Sequence, residues 1–117
     1  MARFVAGDVV VLPFPFTDLA SSKVRPALVL AASTRDDILL CQITSKAGGH
    51  PEAVEIKTDD FVGSDRLPRD SYALPHRLVT ANESCVRRTA GRLQDAKLRE
   101  IRERVCAFVS ARGGDFS

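Results

Sequence analysis

The sequence lacks the segments that carry a protein into or across a membrane. None of its apolar runs approaches the roughly 20 residues that a transmembrane helix needs. Residues 1–12 combine a positive charge with an apolar stretch, but no small-residue cleavage site follows that stretch. We therefore expect neither a membrane partner nor a signal peptide, and Val9 to Val11 fit a first β-strand better.

Cysteine is also scarce. The three cysteines, Cys41, Cys85 and Cys106, are scattered without C-x-x-C spacing, and the two histidines do not cluster with them. An odd and dispersed count argues against a disulfide framework and indicates a reducing, cytoplasmic setting. We interpret all three thiols as buried apolar side chains, and we expect no metal ion and no cofactor.

The motifs of several enzyme classes are missing. The chain has no nucleophile elbow of the form G-x-S-x-G, and no glycine-rich loop stands between a strand and a helix, as a nucleotide site requires. Two carboxylate pairs, Asp36-Asp37 and Asp59-Asp60, occur in predicted turns, where solvated charge is the ordinary explanation. Serine hydrolases and nucleotide-dependent enzymes are therefore without support.

The length and composition of the sequence are those of one small domain. With 117 residues, of which 44% are hydrophobic and 27% charged, residues 1–117 are predicted to form a single core. A net charge of +2 permits an anionic partner without requiring one. Several cations fall in predicted loops or at strand ends, where they can contact phosphate: Lys23, Arg25, Lys46, Arg66, Arg69 and Arg77.

Short apolar segments between turn residues predict a mainly β protein. Pro13 and Pro15 end the first strand, and the unbroken run 26–32 indicates a second strand that is buried on both faces. Asp36-Asp37 turns the chain into a third strand. The third strand reads ILLCQITS, a half-exposed fourth reads AVEIKT, and two separate short pieces read SYAL and HRLVTA.

The segment 95–111 is predicted as the one long helix. Its apolar residues recur three and four apart, so they form one stripe that packs on the core. We expect Asp95 to be its N-cap and Gly113 its stop. Short strands closed by a C-terminal helix predict a small, strongly bent antiparallel sheet or barrel. The stripe comprises Leu98, Ile101, Val105 and Phe108.

Two strand ends carry candidate phosphate contacts. Because a proline disfavours the α region for the residue before it, Arg25 is predicted to be extended at the mouth of its strand. Its guanidinium matches phosphate oxygens in geometry. Thr44, Ser45 and Lys46 place two hydroxyls and a cation at the end of the next strand. If these strands pair as a hairpin, Arg25 lies near Thr44; each segment alone is also typical of an ordinary strand end.

Five segments in this order along the chain together carry a resemblance to a known family. They are GDVVVLPFPFTD, KVRPALVL, CQITSK, RDSYALPHRLVTA and GRLQDAKLREI. In them the chain resembles the MazF/PemK family, the toxins of type II toxin–antitoxin pairs, over nearly its whole length. The resemblance implies a small SH3-like barrel with a C-terminal helix, usually present as a homodimer.

The resemblance also implies a chemistry at matching positions. The catalytic arginine of the family precedes the proline of the second strand, which is Arg25 here, and the catalytic threonine ends the third strand, which is Thr44. The family cleaves single-stranded RNA without metal, because the ribose 2′-OH attacks the adjacent phosphorus and leaves a 2′,3′-cyclic phosphate. The implied partners are single-stranded RNA, a cognate antitoxin and a second copy of the chain, with DNA bound only through the antitoxin complex.

The first loop and the strand ends are expected to hold the RNA. Phe14 and Phe16 look exposed and able to stack on unpaired bases, with Asp18 in the same loop. This loop lacks the Glu-Gln positions of the G-S-E-Q-x-G-x-R-P pattern that many members carry. Two alternatives therefore stay open: a barrel that only binds antitoxin or nucleic acid, and a topoisomerase poison. Further predicted RNA contacts are Lys23, Ser45, Lys46, His76 and Arg77.

Overall fold

A computed structural model describes residues 3–14, 23–33, 35–46 and 48–112, and within them it contains six strands and one long helix. The strands follow the order β4-β5-β3-β2-β1-β6, and every neighbouring pair is antiparallel. The predicted class, a small SH3-like β fold with a C-terminal helix, is confirmed; the sheet curls into a half-barrel with β4 and β6 at its edges. The elements are β1 Asp8–Pro13, β2 Val24–Ala32, β3 Asp37–Thr44, β4 Val54–Ile56, β5 Ser71–Asn82, β6 Arg88–Arg92 and α1 Asp95–Arg112.

The first turn explains why a glycine and an aspartate open β1. Gly7 has φ +102°, a left-handed conformation that a side chain rarely adopts. Asp8 is buried, and its carboxylate accepts hydrogen bonds from the backbone N–H of Val5 and from Nε of Arg92, both at 3.0 Å. These contacts join the start of β1 to the end of β6 and fix one end of the half-barrel.

The predicted hairpin of β2 and β3 is confirmed. Ala27 pairs with Gln42, and Leu28 pairs with Cys41. The turn places Asp36 at φ 67°, which a short polar side chain tolerates better than most. This register determines which residues meet at the open ends of the two strands.

The two short pieces that were predicted near residue 75 form one strand, so that part of the prediction is wrong. In β5, Ala73 pairs with Ile43 and Leu78 pairs with Cys41, so residues 74–77 bulge opposite the single residue Gln42. Pro75 has no N–H to give to the ladder, so a regular strand cannot continue through it. The proline marks a bulge here and not a strand boundary.

Both faces of the sheet are covered by apolar side chains. The face under α1 carries the larger cluster, in which Ile101 is fully buried and Leu98 nearly so, and Val105 packs partly against it. The opposite face carries a second cluster around Val10 and Leu12. The core-packing interpretation of the helical stripe is therefore confirmed for Leu98, Ile101 and Val105, whereas Phe108 is only partly buried and lines a second cavity beside the helix.

The start of the helix differs by one residue from the prediction. The carbonyl of Gln94 accepts the first helical hydrogen bond, from the N–H of Leu98 at 3.0 Å, so Gln94 is the N-cap and Asp95 lies in the first turn. The predicted stop, Gly113, lies outside the described residues. The guanidinium of Arg102 donates two hydrogen bonds to the carbonyl of Leu30, at 2.6 and 3.2 Å, where the β2–β3 register shifts, and this ties the helix to the sheet.

The three thiols do not share one environment. Burial raises the pKa of the Cys41 thiol from 9.0 to about 12, and its Sγ donates to the carbonyl of Leu74. Cys85 and Cys106 are exposed, which corrects the expectation that all three are buried. Cys85 lies in the short 3₁₀ turn Glu83–Cys85. Cys106 lies on the exposed face of α1, although the preceding residue, Val105, is partly buried. Within the described ranges, no helix is long and apolar enough to cross a membrane.

Candidate functional site

The open ends of β2 and β3 border a cleft of about 260 Å³, which we call the arginine cleft. Apolar side chains of the core, among them Val11 and Ile43, contribute part of its lining. Among the described residues, its polar lining consists of three arginines and three hydroxyl residues, without a carboxylate: Arg25, Arg69, Arg88, Thr44, Ser45 and Ser71.

Arg25 lies on the exposed mouth of β2. Its neighbour Pro26 keeps it extended, and it pairs with Leu12 of β1. The paired part of the hairpin ends with Ala27 opposite Gln42, and Arg25 and Thr44 each lie two residues beyond that pair on their own strand. Both residues line the arginine cleft, as hairpin pairing predicted.

Thr44 ends β3 in a small hydrogen-bonded turn. Its half-buried hydroxyl accepts the backbone N–H of Lys46, at 3.2 Å between N and Oγ1. That contact uses an oxygen lone pair and leaves the hydroxyl proton without a partner among the described residues. Thr44 can therefore donate a hydrogen bond to a group that enters the cleft.

Arg69 and Arg88 are cleft residues that the sequence reading did not assign. Arg69 lies near the end of the loop 61–70, while Arg88 begins β6. The position of Arg69 among the cations of the predicted loops could have suggested it as a phosphate contact. Nothing in the sequence pointed to Arg88, because β6 reaches the cleft by pairing with β1. Both side chains are exposed, and like Arg25 they have no ion pair or hydrogen bond to any part of the chain that the structure describes.

The loop 61–70 is held firmly against β6. Leu67 is buried in the core, Phe61 forms a β-bridge with Leu93, and the hydroxyl of Ser71 donates to the carbonyl of Arg69 at 3.1 Å. Gly91 makes this packing possible, since a Cβ there would lie 2.5 Å from the carbonyl oxygen of Asp65. One wall of the cleft is therefore built in advance of any ligand.

The remaining predicted contacts near β1 to β3 have mixed outcomes. Ser45 lines the cleft; Lys46 and Lys23 are exposed beside the strand ends. Phe14 is only 7% exposed, so the expectation of an exposed ring is wrong. Its N–H donates to the carbonyl of Lys23 and extends the ladder, and the period of two then turns its ring into the cluster of Val10 and Leu12. Phe16 and Asp18 lie outside the described residues.

His76 and Arg77 lie in the bulge of β5 and are not among the described residues that line the arginine cleft. The ring of His76 lies 5.1 Å from His50 and 6.0 Å from Phe108, centroid to centroid, and its Nδ1 lies 3.8 Å from a carboxylate oxygen of Glu52. These contacts face α1. The structure therefore separates His76 from the pair that the sequence placed at the strand ends.

A metal centre of at least three protein ligands has no counterpart in the described ranges. No group of three or more histidine, cysteine, aspartate or glutamate side chains lies together there. The charged groups that the arginine cleft does contain are cations, and they suit an anion.

A curled antiparallel sheet with a C-terminal helix is also the architecture of several solved toxins. The structure of a MazE–MazF assembly from Deinococcus radiodurans matches with a TM-score of 0.70 and 23% identity, covering 92% of this chain and 96% of that chain. An endoribonuclease in complex with its cognate antitoxin from a mycobacterial species matches with a TM-score of 0.66 and 16% identity, covering 98% and 100%. The toxin MazF-mt6 from Mycobacterium tuberculosis matches with a TM-score of 0.66 and 14% identity, covering 88% and 96%.

At the level of sequence, the model of the PemK-like, MazF-like toxins of type II toxin–antitoxin systems matches residues 6–109. This chain belongs to that family. A comparison with curated protein sequences found no match.

Proposed function

We propose that this toxin is an endoribonuclease that cleaves single-stranded RNA at the arginine cleft without a metal ion. The observation that carries the proposal is that Arg25 and Thr44 line one cleft in which, among the described residues, the arginines have no ion-pair partner and no carboxylate contributes to the lining. A phosphodiester is the anion that this set suits, because guanidinium and hydroxyl groups are common phosphate contacts. The mycobacterial relative described as an endoribonuclease has the same fold, which agrees with this assignment.

The reaction needs no nucleophile from the protein. The 2′-oxygen of the ribose attacks the adjacent phosphorus, a new P–O2′ bond forms, and its proton passes to water. The P–O5′ bond breaks, and the departing 5′-oxygen takes a proton from water. The products are a 2′,3′-cyclic phosphate and a free 5′-hydroxyl. The proton that the 2′-hydroxyl releases to water equals the one that the 5′-oxygen takes up, so no further reactant is needed.

Arg25 stabilises the charge that accumulates on the phosphorane oxygens. A fixed donor of this kind contributes about 3–4 kcal/mol to the transition state when it is pre-organised. The strand start and Pro26 fix the backbone of Arg25, so little reorganisation is required. Its role is electrostatic, because a guanidinium stays protonated in proteins and is therefore a poor base.

Thr44 positions the phosphate. Its hydroxyl oxygen is already occupied by the N–H of Lys46, so its proton points to an acceptor outside the turn. A non-bridging phosphate oxygen in the cleft is such an acceptor. Ser45, Lys46 and Lys23 lie close enough in sequence to contact the RNA on either side of that phosphate.

Partners follow from the same assignment. We infer a cognate antitoxin that covers the cationic cleft, by analogy with relatives that were solved with an antitoxin. We also infer a homodimer that acts in the cytoplasm and meets DNA only through its antitoxin complex. Light scattering on the purified chain tests the dimer directly, and a mass of one chain contradicts it.

The decisive experiment is RNA cleavage in EDTA. A long RNA incubated with the purified protein is expected to give fragments with 2′,3′-cyclic phosphate and 5′-hydroxyl ends, while the Arg25→Ala variant stays folded and inactive. An active Arg25→Ala variant contradicts the mechanism. If varied RNAs are all left intact and expression does not slow growth, the non-catalytic binding module replaces the enzyme.

A further inference from the structure

The charge of the arginine cleft exceeds what one phosphodiester neutralises. Arg25, Arg69 and Arg88 bring three cations to its lining, while a backbone phosphate carries one negative charge. None of the three guanidiniums has an anionic partner within the described part of the chain. Like charges placed together without counter-charges repel, so an arrangement of this kind is suited to a ligand that carries several anions.

The three cations belong to separate parts of the fold. Arg25 lies on β2 beside Thr44, whereas Arg69 and Arg88 lie on the loop 61–70 and on β6. Thr44 accompanies Arg25 at the reacting phosphate in the proposed reaction. The other two guanidiniums are therefore free for the anions on either side of it.

The wall that holds these two cations is pre-organised. Leu67 is buried, the guanidinium of Arg66 donates to the carbonyl of Gly63 at 2.8 Å, and Gly91 allows the loop to lie directly on β6. Pre-organisation lowers the entropy cost of binding. A solvated surface loop would not need such close packing to carry an exposed arginine.

We propose that Arg69 and Arg88 bind backbone phosphates next to the scissile one, so that the cleft grips at least two consecutive phosphates of single-stranded RNA. This inference rests on the proposed function for its ligand. It assigns the two residues a positioning role: they raise the affinity for RNA, and they do not take part in bond breaking.

Salt dependence of RNA binding tests the proposal without knowledge of the target sequence. The probe is a fluorescein-labelled, mixed-sequence 2′-O-methyl RNA of 12 nucleotides, which the proposed reaction cannot cleave because it lacks a free 2′-OH. For a single strand, the slope of log affinity against log salt is about −0.7 per neutralised phosphate. We expect Arg69→Gln and Arg88→Gln each to lower the magnitude of that slope by about 0.7, and the double variant by about 1.4.

Two sets of variants control for folding and for non-specific charge. Arg99 is an exposed cation on α1 away from the cleft lining, so Arg99→Gln is expected to leave the slope unchanged. Arg69→Lys and Arg88→Lys keep the charge and are expected to restore the slope, which a merely structural role would not do.

In cleavage assays, Arg69→Gln is expected to raise KM about tenfold while kcat stays within about threefold.

The outcomes separate this proposal from the proposed function. Wild-type slopes in both glutamine variants overturn it, and so does a wild-type protein that does not bind the RNA probe. If the variants weaken binding of a 12-residue polyglutamate peptide and leave RNA binding unchanged, the two arginines serve an acidic protein and the proposal is wrong. If the slopes change as expected but the wild type does not cleave RNA in EDTA, the phosphate grip stands and the nuclease assignment fails.

Discussion

Two cavities of nearly equal size lie in different parts of this fold and differ in the charge of their lining residues. The arginine cleft encloses about 260 Å³, and in the described part of the chain the charged residues that line it are all cations. A second cavity of about 280 Å³ lies beside α1, and we call it the helix-side cavity. Both charge signs contribute to its lining, which comprises Pro51, Glu52, Pro75, Arg104, Ala107 and Phe108.

The comparison shows that size alone does not identify a functional site. In the helix-side cavity, Glu52 lies 3.8 Å from His76, so charged and titratable groups already face one another. In the arginine cleft the guanidiniums have no such partner among the described residues. Cations that have no acidic partner among the described residues and lie on a well-packed wall indicate a site for an anionic ligand. Charged groups that already contact one another indicate a structural role. Four changes test that contrast.

The largest effect is expected for Arg25→Ala. Loss of one pre-organised donor at the reacting phosphate should lower kcat by about 10²- to 10³-fold while the melting temperature stays near that of the wild type. Cleavage of a long RNA in EDTA, followed by gel electrophoresis, measures it. If the Arg25→Ala variant keeps its cleavage activity, the arginine cleft is not the catalytic site and does not differ from the helix-side cavity in function.

Thr44→Val should have the next largest effect. The change keeps the β-branched shape but removes the hydroxyl, so a hydrogen bond to a charged phosphate oxygen worth about 1.5–3 kcal/mol is lost. We expect kcat to fall at least tenfold. Thr44→Ser is the matched control, because it keeps the hydroxyl and should keep most of the activity; equal losses in both variants would point to packing.

Gly91→Ala should disturb the wall of the arginine cleft. The added Cβ would lie 2.5 Å from the carbonyl oxygen of Asp65 and 2.9 Å from the ring of Phe61, so the loop 61–70 must shift. Overpacking of this kind costs about 1–3 kcal/mol. Urea unfolding measures the stability, and RNA affinity should fall with it. Gly48→Ala is the control, since a Cβ there meets nothing within 4 Å.

Glu52→Gln in the helix-side cavity should have the smallest effect. Nδ1 of His76 lies 3.8 Å from the Glu52 carboxylate and accepts or donates no hydrogen bond among the described residues, so the change removes no hydrogen bond and should cost less than about 1 kcal/mol. We expect cleavage to be unchanged and the free energy of unfolding to shift by no more than about 0.5 kcal/mol. A large loss of cleavage would show that the helix-side cavity belongs to the functional site.

Local patterns were enough to predict the hairpin and the helix. The run 26–32 and the turn at Asp36 define two adjacent strands, and short-range pairing of such strands has few alternatives. For that reason, the sequence could predict that Arg25 and Thr44 lie at the same end of the hairpin, where both line the arginine cleft. The helical stripe was equally readable, because Leu98 and Ile101 repeat at the helical period.

Other features needed contacts between distant parts of the chain. Phe14 was expected to be exposed because it was assigned to the first loop, but its ladder contact with Lys23 turns it into the core. The bulge at Pro75 could not be told from a strand end without the partner strand β3. His76 was predicted to contact RNA together with residues of the strand ends, but it lies in the bulge of β5, with its ring 6.0 Å from that of Phe108 on α1.

The sequence by itself determined the family, through five segments along nearly the whole chain, and the class of fold, through its short strands and C-terminal helix. It also predicted that Arg25 and Thr44 lie near each other, because their strands are neighbours in one hairpin. Only the tertiary structure decided the rest of the cleft. Arg88 enters it because β6 pairs with β1 across some 80 residues, and Arg69 because Gly91 leaves room for its loop. Convergence of charges from separate elements depends on sheet order and close packing, and no local pattern encodes either one.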